Sequence, residues 1–240
     1  MKRSSLFSYR ISGRRALFSD PINRVGGEKM TYHLPTYQAL KGITESIYWK
    51  PSLIWYVHRV RVMKQIQTES IGVRPIKYNS NSNDLAFYTY LKDVQYKVEV
   101  YFEWNENREK LKSDWNQKKH EEIFARALAK GGRRDIFLGA RECQAYVEPC
   151  CFEEESGDYD EIDRLDFGVQ FHSFIYPDEQ EGAQNSLISP IQVNLWKPVL
   201  TNGVLVFPRP DECEINRELS GRTIKQFMPG ENYCLGEVSE

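Results

Sequence analysis

The first clear pattern in the chain is a row of apolar residues that recur every three or four positions after residue 36. Its members are Tyr37, Leu40, Ile43, Ile47 and Tyr48. This spacing places them on one face of an α-helix, which Pro35-Thr36 opens and Lys50-Pro51 ends. Tyr48 falls on the flank of the apolar stripe, so its ring can be buried while its hydroxyl reaches a cleft. The alternative is an ordinary core tyrosine.

Alternation of apolar and polar residues predicts the strands of the first half. Leu53 to Met63 alternates, with Arg59 and Arg61 on one side, and residues 6–19 form an earlier strand. Residues 85–91 and 94–104 also alternate, and we interpret them as a hairpin that turns at Lys92-Asp93. The polar segment 72–84 is predicted to be a loop.

A second helical stripe begins after the charged segment 105–117, which is predicted to be a loop or a frayed helix. Its apolar members are Ile123, Phe124, Ala127 and Leu128. The pattern ends at Gly131 and places Lys119 and His120 at or just before the N-terminus of the helix. A short apolar run then leads to a strand that ends near Val147.

The element order to this point is close to a β-α-β-β-α-β ferredoxin-like unit, with one extra strand from the long hairpin. An acidic loop at 153–166 follows, and then strands at 167–176, 191–200 and 204–207, the last two joined by a turn at Thr201-Asn202-Gly203. We therefore predict an α+β protein. A ferredoxin-like domain covers residues 1–147, and a small antiparallel β-sheet domain with a poorly structured tail from residue 208 covers 148–240.

The net charge of −2 hides a strong asymmetry between the two halves. Residues 1–141 carry 26 Lys and Arg against 14 Asp and Glu, whereas residues 142–240 carry 6 against 20. Such a basic segment suggests a polyanion partner. The alternative is that the two halves neutralise each other by contact.

Composition argues against several classes of protein. The five cysteines include no Cys-x-x-Cys pair and have only His172 among them, which argues against a zinc site and a disulfide framework. We expect no metal and no other cofactor. No apolar run approaches the roughly 18 residues of a membrane span, and the N-terminus lacks the apolar region of a signal peptide. We expect a cytoplasmic protein without a membrane partner.

The segment from Gly131 to Val147 has the composition of a polyanion site. Glycine allows the backbone to approach a ligand closely, and arginine offers a planar fork that matches phosphate. The alternative is a helix C-cap followed by a strand whose arginines face water. The candidate residues for binding this polyanion are Lys118, Gly131, Gly132, Arg133, Arg134 and Arg141, with Arg14, Arg15, Arg59 and Arg61 as weaker phosphate contacts.

Several motifs, in this order, resemble the type I-C CRISPR-associated Cas-five family (Dvulg subtype) of the repeat-associated mysterious protein superfamily. They are Glu45-Ser-Ile-Tyr48-Trp-Lys-Pro51, Gly72-Val-Arg-Pro75, Tyr88-Thr-Tyr-Leu-Lys-Asp93, the segment 131–146 and Phe207-Pro-Arg-Pro210. The resemblance runs from about Ala16 to Pro210. It implies a ferredoxin-like, RRM-type N-terminal domain and a small β-rich C-terminal domain.

The resemblance also implies an activity and partners. It implies an endoribonuclease that cuts the CRISPR precursor RNA once in each repeat, at the base of the repeat hairpin, without metal. It implies that the protein then stays bound to the 5′ handle of the mature crRNA, beside the backbone and large subunits of the type I-C interference complex. The family's catalytic tyrosine, lysine and histidine fall on Tyr48, Lys119 and His120.

These three residue types suit metal-free RNA cleavage, which must deprotonate a 2′-OH, stabilise a phosphorane and protonate the leaving 5′-oxygen. His120 can act as base or acid, and Lys119 can offset the phosphorane charge. Tyr48 can hydrogen-bond the 2′-OH or a non-bridging oxygen. Which group is base and which is acid stays open. So do two alternatives for the chain: a non-catalytic subunit that holds the guide handle, and a protein that also binds duplex DNA nonspecifically.

Overall fold

The computed structural model of this chain describes residues 3–20, 28–76, 80, 82–176 and 191–219. The helices are α1 (Tyr37–Ile47) and α2 (Gln117–Ala129), with short 3₁₀ helices at Glu106–Asp114 and Pro210–Glu212. The strands of the first part are β1 (Phe7–Ala16), β2 (Lys29–Met30), β3 (Leu53–Val62), β4 (Thr68–Val73), β5 (Ala86–Trp104), β6 (Ile136–Phe137) and β7 (Gln144–Pro149). Those of the second part are β8 (Leu165–Asp166), β9 (Gln170–Ile175), β10 (Gln192–Trp196), β11 (Val199–Thr201), β12 (Val204–Val206) and β13 (Ile215–Glu218).

The centre of the large sheet has the strand order β7-β1-β5-β3, and every neighbouring pair is antiparallel. Helix α1 lies between β1 and β3 in the chain, and α2 lies between β5 and β7. This arrangement confirms the predicted α+β class and is compatible with a ferredoxin-like unit. Both helices pack on one face of the sheet: Phe124 of α2 lies 4.6 Å from Trp55 between ring centroids, and Thr44 of α1 shares a 2.9 Å hydrogen bond with Tyr9.

The prediction of a hairpin with its turn at Lys92-Asp93 was wrong. Residues 86–104 form the single strand β5, which passes straight through this dipeptide with Asp93 at a positive φ of 48°. The strand continues because partners meet it along its whole length: β4 pairs with its first part, and β1 and β3 pair with the rest. The extra strand is thus β4, whose last two residues fall within the segment 72–84 that was predicted to be a loop.

The second half of the chain is divided between two sheets. Strand β12 pairs with β3, so β12, β11 and β8 extend the large sheet, whereas β13, β10 and β9 form a sheet of their own. The predicted turn into β12 is confirmed, with Asn202 and Gly203 at φ of 46° and 74°. The predicted strand 191–200 is two strands, and β13 lies within the segment predicted to be an unstructured tail. The rest of that tail, 220–240, lies outside the described residues. The division into domains 1–147 and 148–240 stays a prediction.

Candidate active site

Tyr48 lies where α1 ends and the chain becomes extended. Its backbone N–H still donates to the carbonyl of Thr44 (3.0 Å), but its φ and ψ of −159° and 126° are those of a strand. Its carbonyl oxygen accepts from Nε1 of Trp55 (2.8 Å), which fixes the residue against β3. This exit from the helix turns the ring of Tyr48 into the protein, where it has no exposed surface.

Lys119 and His120 occupy the first turn of α2. The side-chain oxygen of Asn116 accepts from the backbone N–H of Lys119 (3.1 Å) and caps the helix. Successive helical residues lie about 100° apart, so the two side chains diverge. His120 is fully buried, with its ring centroid 5.6 Å from that of Trp104, whereas Lys119 is exposed.

A chain of hydrogen bonds joins Tyr48, His120 and Asp114. Nε2 of His120 lies 2.8 Å from the carbonyl oxygen of Asp114, and Nδ1 lies 2.7 Å from the hydroxyl oxygen of Tyr48. A carbonyl oxygen can only accept, so Nε2 carries a proton, and Nδ1 of the neutral ring accepts from the Tyr48 hydroxyl. Both ring nitrogens are therefore engaged, and the Tyr48 oxygen keeps a lone pair for another donor.

Two pKa shifts indicate the charge states of Tyr48 and Asp114 in this row of hydrogen bonds. Burial raises the pKa of the Tyr48 hydroxyl; the positive charge of Arg133 opposes this shift, and the negative charge of Asp114 adds to it. Tyr48 therefore stays protonated at neutral pH. The hydrogen bond from Lys119 is the main cause of a lowered pKa at Asp114, so that carboxyl is ionised.

The Asp114 side chain ties Lys119 to the rest of the site. One carboxylate oxygen accepts from Nζ of Lys119, and the other accepts from the hydroxyl of Ser52 (3.0 Å). That second oxygen also lies 3.4 Å from Nε2 of His120. Because a lysine ammonium has three N–H donors, Lys119 keeps two for a ligand.

The surface above these groups is cationic. The guanidinium of Arg133 lies 4.7 Å from the centre of the Tyr48 ring. Tyr48 and His120 are wholly enclosed, whereas the Lys119 side chain is 49% exposed. An approaching polyanion would therefore meet Lys119 and Arg133 before it could reach the enclosed pair.

Gly131 and Gly132 form the C-cap of α2, which was the alternative to a polyanion site at this position. Their φ angles are 82° and 99°, and their N–H groups donate to the carbonyls of Leu128 and Ala127, each at 2.9 Å. The turn brings the following arginines to the end of α1, where the N–H of Arg134 donates to the carbonyl of Ser46 (3.2 Å). The glycines thus have a structural role, and their predicted contact with RNA stays a prediction.

The other predicted RNA contacts are on the surface. Lys118, Arg134 and Arg141 are exposed, and none of the three forms an ion pair with any residue that the structure describes. Arg133 and Arg134 lie beside the Tyr48 end of α1. They are available to phosphate, and their binding role stays a prediction.

Two arginines that the sequence offered as weaker phosphate contacts are engaged inside the protein. Arg59 donates to Glu99 (2.9 Å) and Glu153 (2.8 Å), and Arg61 donates to Asp160 (3.3 Å). The acidic loop therefore lies against the sheet instead of standing free in solvent. These ion pairs neutralise part of the charge asymmetry between the two halves. The alternative prediction, that the halves neutralise each other by contact, is therefore correct for these residues.

Two features of the structure were not predicted from the sequence. Asp114 was one charged residue among many in a predicted loop, and nothing in its spacing pointed to His120. Arg209 lies in a motif that the resemblance singled out without a role. It donates to both carboxylate oxygens of Glu103 (2.9 and 3.1 Å) and stacks 4.3 Å from the centre of the Tyr56 ring, which ties the C-terminal segment to the sheet.

Metal-ligand clusters and membrane-spanning helices are both absent from the described part of the chain. No group of three or more His, Cys, Asp or Glu side chains there is arranged to hold a metal ion. None of the helices described is long and apolar enough to cross a membrane.

Comparison with known proteins identifies the family. Residues 8–208 match the Cas5d family model, described as "CRISPR-associated protein (Cas_Cas5)". A solved structure described as a CRISPR-associated protein is similar to this chain at 39% identity, with a TM-score of 0.76 and coverage of 90% of this chain and 98% of that one.

Two curated relatives carry a functional name, CRISPR pre-crRNA endoribonuclease Cas5d. The one from Mannheimia succiniciproducens is 26% identical in an alignment of 162 residues that covers 58% of this chain and 64% of the relative. The one from Thermus thermophilus is 29% identical in an alignment of 150 residues that covers 58% of this chain and 62% of the relative. The chain thus spans less than two thirds of the length of these relatives. The family model covers most of the chain, and the chain therefore belongs to the CRISPR-associated Cas5 family, in its type I-C (Cas5d) group.

Proposed function

We propose that this protein is a metal-independent endoribonuclease that cuts CRISPR precursor RNA within each repeat, at the base of the repeat hairpin. The observation that carries the proposal is the hydrogen-bonded chain Tyr48–His120–Asp114 with Lys119 beside it. The names of the two curated relatives support the same activity. The group needs no metal to act, because it contains a proton acceptor, a proton donor and a cation.

The reaction is a transesterification in which the RNA supplies its own nucleophile. The Tyr48 oxygen takes the proton of the 2′-OH as its own proton passes to Nδ1 of His120. The 2′-oxygen attacks phosphorus, and Lys119 with Arg133 offsets the charge of the phosphorane. The bond to the 5′-oxygen breaks, and that oxygen takes a proton from Lys119 or the imidazolium of His120. The products are a 2′,3′-cyclic phosphate and a 5′-hydroxyl.

Substrate binding must open this site, because Tyr48 and His120 are enclosed. Arg133 lies over the Tyr48 ring and is held there by no ion pair with a described residue. A phosphate is a stronger partner for a guanidinium than an aromatic ring at the surface. The RNA backbone therefore draws Arg133 aside and uncovers the tyrosine.

After the cut, the protein keeps the 5′ handle of the mature crRNA and joins the backbone and large subunits of the type I-C interference complex in the cytoplasm. Lys118, Arg134 and Arg141 supply exposed cations for the handle. These cations also attract duplex DNA without regard to sequence.

The enclosure of Tyr48 and His120 favours a second candidate function. A group without exposed surface cannot touch RNA unless the structure opens, and a chain that never opens would be a non-catalytic subunit that only holds the guide handle. The two functions differ in whether the purified chain cuts RNA.

The test is to incubate the purified chain with its cognate repeat RNA in excess EDTA and to resolve the products on a gel. We expect one cut, a 2′,3′-cyclic phosphate end, and no cut when the nucleotide before the cleavage site is 2′-deoxy. Cleavage that requires added Mg²⁺ contradicts the metal-free mechanism. A deoxy substrate that is still cut points to an activated water, and tight binding without a cut favours the non-catalytic subunit.

A further inference from the structure

Asp114 is the point where three groups of the candidate site meet. Its carboxylate accepts from Lys119 and from Ser52, and its backbone carbonyl accepts from Nε2 of His120. Lys119 and His120 are neighbours in the chain, but their side chains diverge from α2. Asp114 contacts both side chains.

The structure holds Asp114 firmly in this place. The ring of the next residue, Trp115, stacks on Trp104 with centroids 5.6 Å apart and planes at 9°. Two residues on, Asn116 caps α2 and donates its own N–H to the Asp114 carbonyl (2.8 Å). The turn between the 3₁₀ helix and α2 is therefore fixed at both ends.

We propose that Asp114 is the positioning residue of the cleavage reaction, an inference that rests on the proposed function. Its carboxylate holds the Lys119 ammonium at the site with two N–H donors free for the scissile phosphate. Its carbonyl keeps the proton of neutral His120 on Nε2, so that Nδ1 faces Tyr48 as the acceptor. Asp114 itself touches no RNA, since it acts through Lys119 and His120.

The carboxylate can be tested without altering the carbonyl. Asp114→Asn keeps the shape but removes the charge that holds Lys119. Because a small misplacement of a catalytic group costs up to about 100-fold in rate, we expect single-turnover cleavage of the repeat RNA to fall roughly 10- to 100-fold. The Kd for the RNA should change less than threefold. Asp114→Glu keeps a carboxylate within reach of Lys119 and should recover much of the rate.

Two comparisons separate positioning from a general structural effect. Glu109→Gln removes an exposed acid from the same 3₁₀ helix and should cut at the wild-type rate. Asp114→Asn combined with Lys119→Ala should be no slower than Lys119→Ala alone, because a residue that acts through Lys119 has no further effect once that lysine is gone.

Three outcomes overturn the inference: a wild-type rate for Asp114→Asn, rate losses that multiply in the double variant, or a Kd that rises as much as the rate falls. If Asp114→Asn does not fold, Asp114→Ser is judged by the same criteria. A wild-type protein that binds repeat RNA but does not cut it contradicts the proposed function itself. A wild-type protein that cuts, with an unaffected Asp114→Asn, contradicts only the role of Asp114.

Discussion

The hydroxyl of Tyr48 and Nδ1 of His120 lie 2.7 Å apart inside the protein, although 72 positions separate the two residues in the chain. The end of one helix supplies the tyrosine, and the first turn of the other supplies the histidine. Their hydrogen bond joins two candidate catalytic groups that the sequence could identify only separately, and under the proposed function they act as one proton-transfer unit.

His120→Ala should abolish the acceptor of this unit while leaving the surface cations in place. We expect cleavage of repeat RNA to fall by about two orders of magnitude or more, with RNA affinity within a few-fold of wild type. Tyr48→Phe should have a similar effect, because it removes the hydroxyl that relays the proton. Single-turnover rates and filter-binding constants measure the two quantities.

The matched control for this prediction is His33→Ala, since His33 is an exposed histidine outside the site. It should cut RNA normally. A His120→Ala protein that also cuts normally removes His120 from the reaction and leaves Lys119 and Tyr48 to share the proton transfers.

Arg133→Ala combined with Arg134→Ala should weaken RNA binding whatever the sequence of the RNA. Each phosphate contact releases counterions, so the loss of two cations should also flatten the dependence of log Kd on log salt, by about 0.7 to 0.9 per contact. Titrations at several salt concentrations measure both effects. Arg164→Ala, an exposed arginine paired only with Asp166 among described residues, is the control. An unchanged slope in the double variant would show that both arginines are structural.

Two glycines should respond to alanine in opposite directions. Gly139 has a φ of 86°, and a Cβ there would lie 2.1 Å from the carbonyl oxygen of Leu17, so Gly139→Ala should destabilise the fold by about 1–3 kcal/mol or more. Gly42 lies inside α1 with open space around it, and Gly42→Ala should stabilise by about 0.5–1 kcal/mol. Urea unfolding measures both changes, and effects of the same sign would contradict the argument.

His172 should make the protein sensitive to acid. Burial lowers the pKa of His172 to about 3, and its ring stacks on Tyr37 with centroids 4.4 Å apart. In the unfolded chain its pKa is about 6.5, so between about pH 6.5 and pH 3 only the unfolded state binds the proton. His172 therefore does not reduce the free energy of unfolding above pH 6.5. Below that pH, the free energy of unfolding falls by up to about 1.4 kcal/mol for each pH unit.

The variant that tests this prediction is His172→Phe, which keeps an aromatic ring against Tyr37 but cannot be protonated. The Tm of the variant minus the Tm of wild type should increase as pH falls from 7 to 4. A difference that stays constant over this range would exclude His172 as the source of acid sensitivity.

The sequence by itself determined the local elements and the kinds of chemistry. The apolar stripes predicted α1 and α2 because helical periodicity is a property of neighbouring residues. The Thr201-Asn202-Gly203 turn was equally local, since it depends on residues that tolerate a positive φ. The motif around Tyr48 and the adjacent pair Lys119 and His120 indicated the candidate catalytic groups.

Only the tertiary structure decided which distant groups meet. Lys92-Asp93 resembled a turn, yet β1, β3 and β4 hold β5 straight through it, and such partners are invisible in a local pattern. Asp114 contacts His120, and Glu153 of the acidic loop contacts Arg59, only because the fold brings them together. Hydrogen bonds and ion pairs depend on distance in space, and the sequence states only distance along the chain.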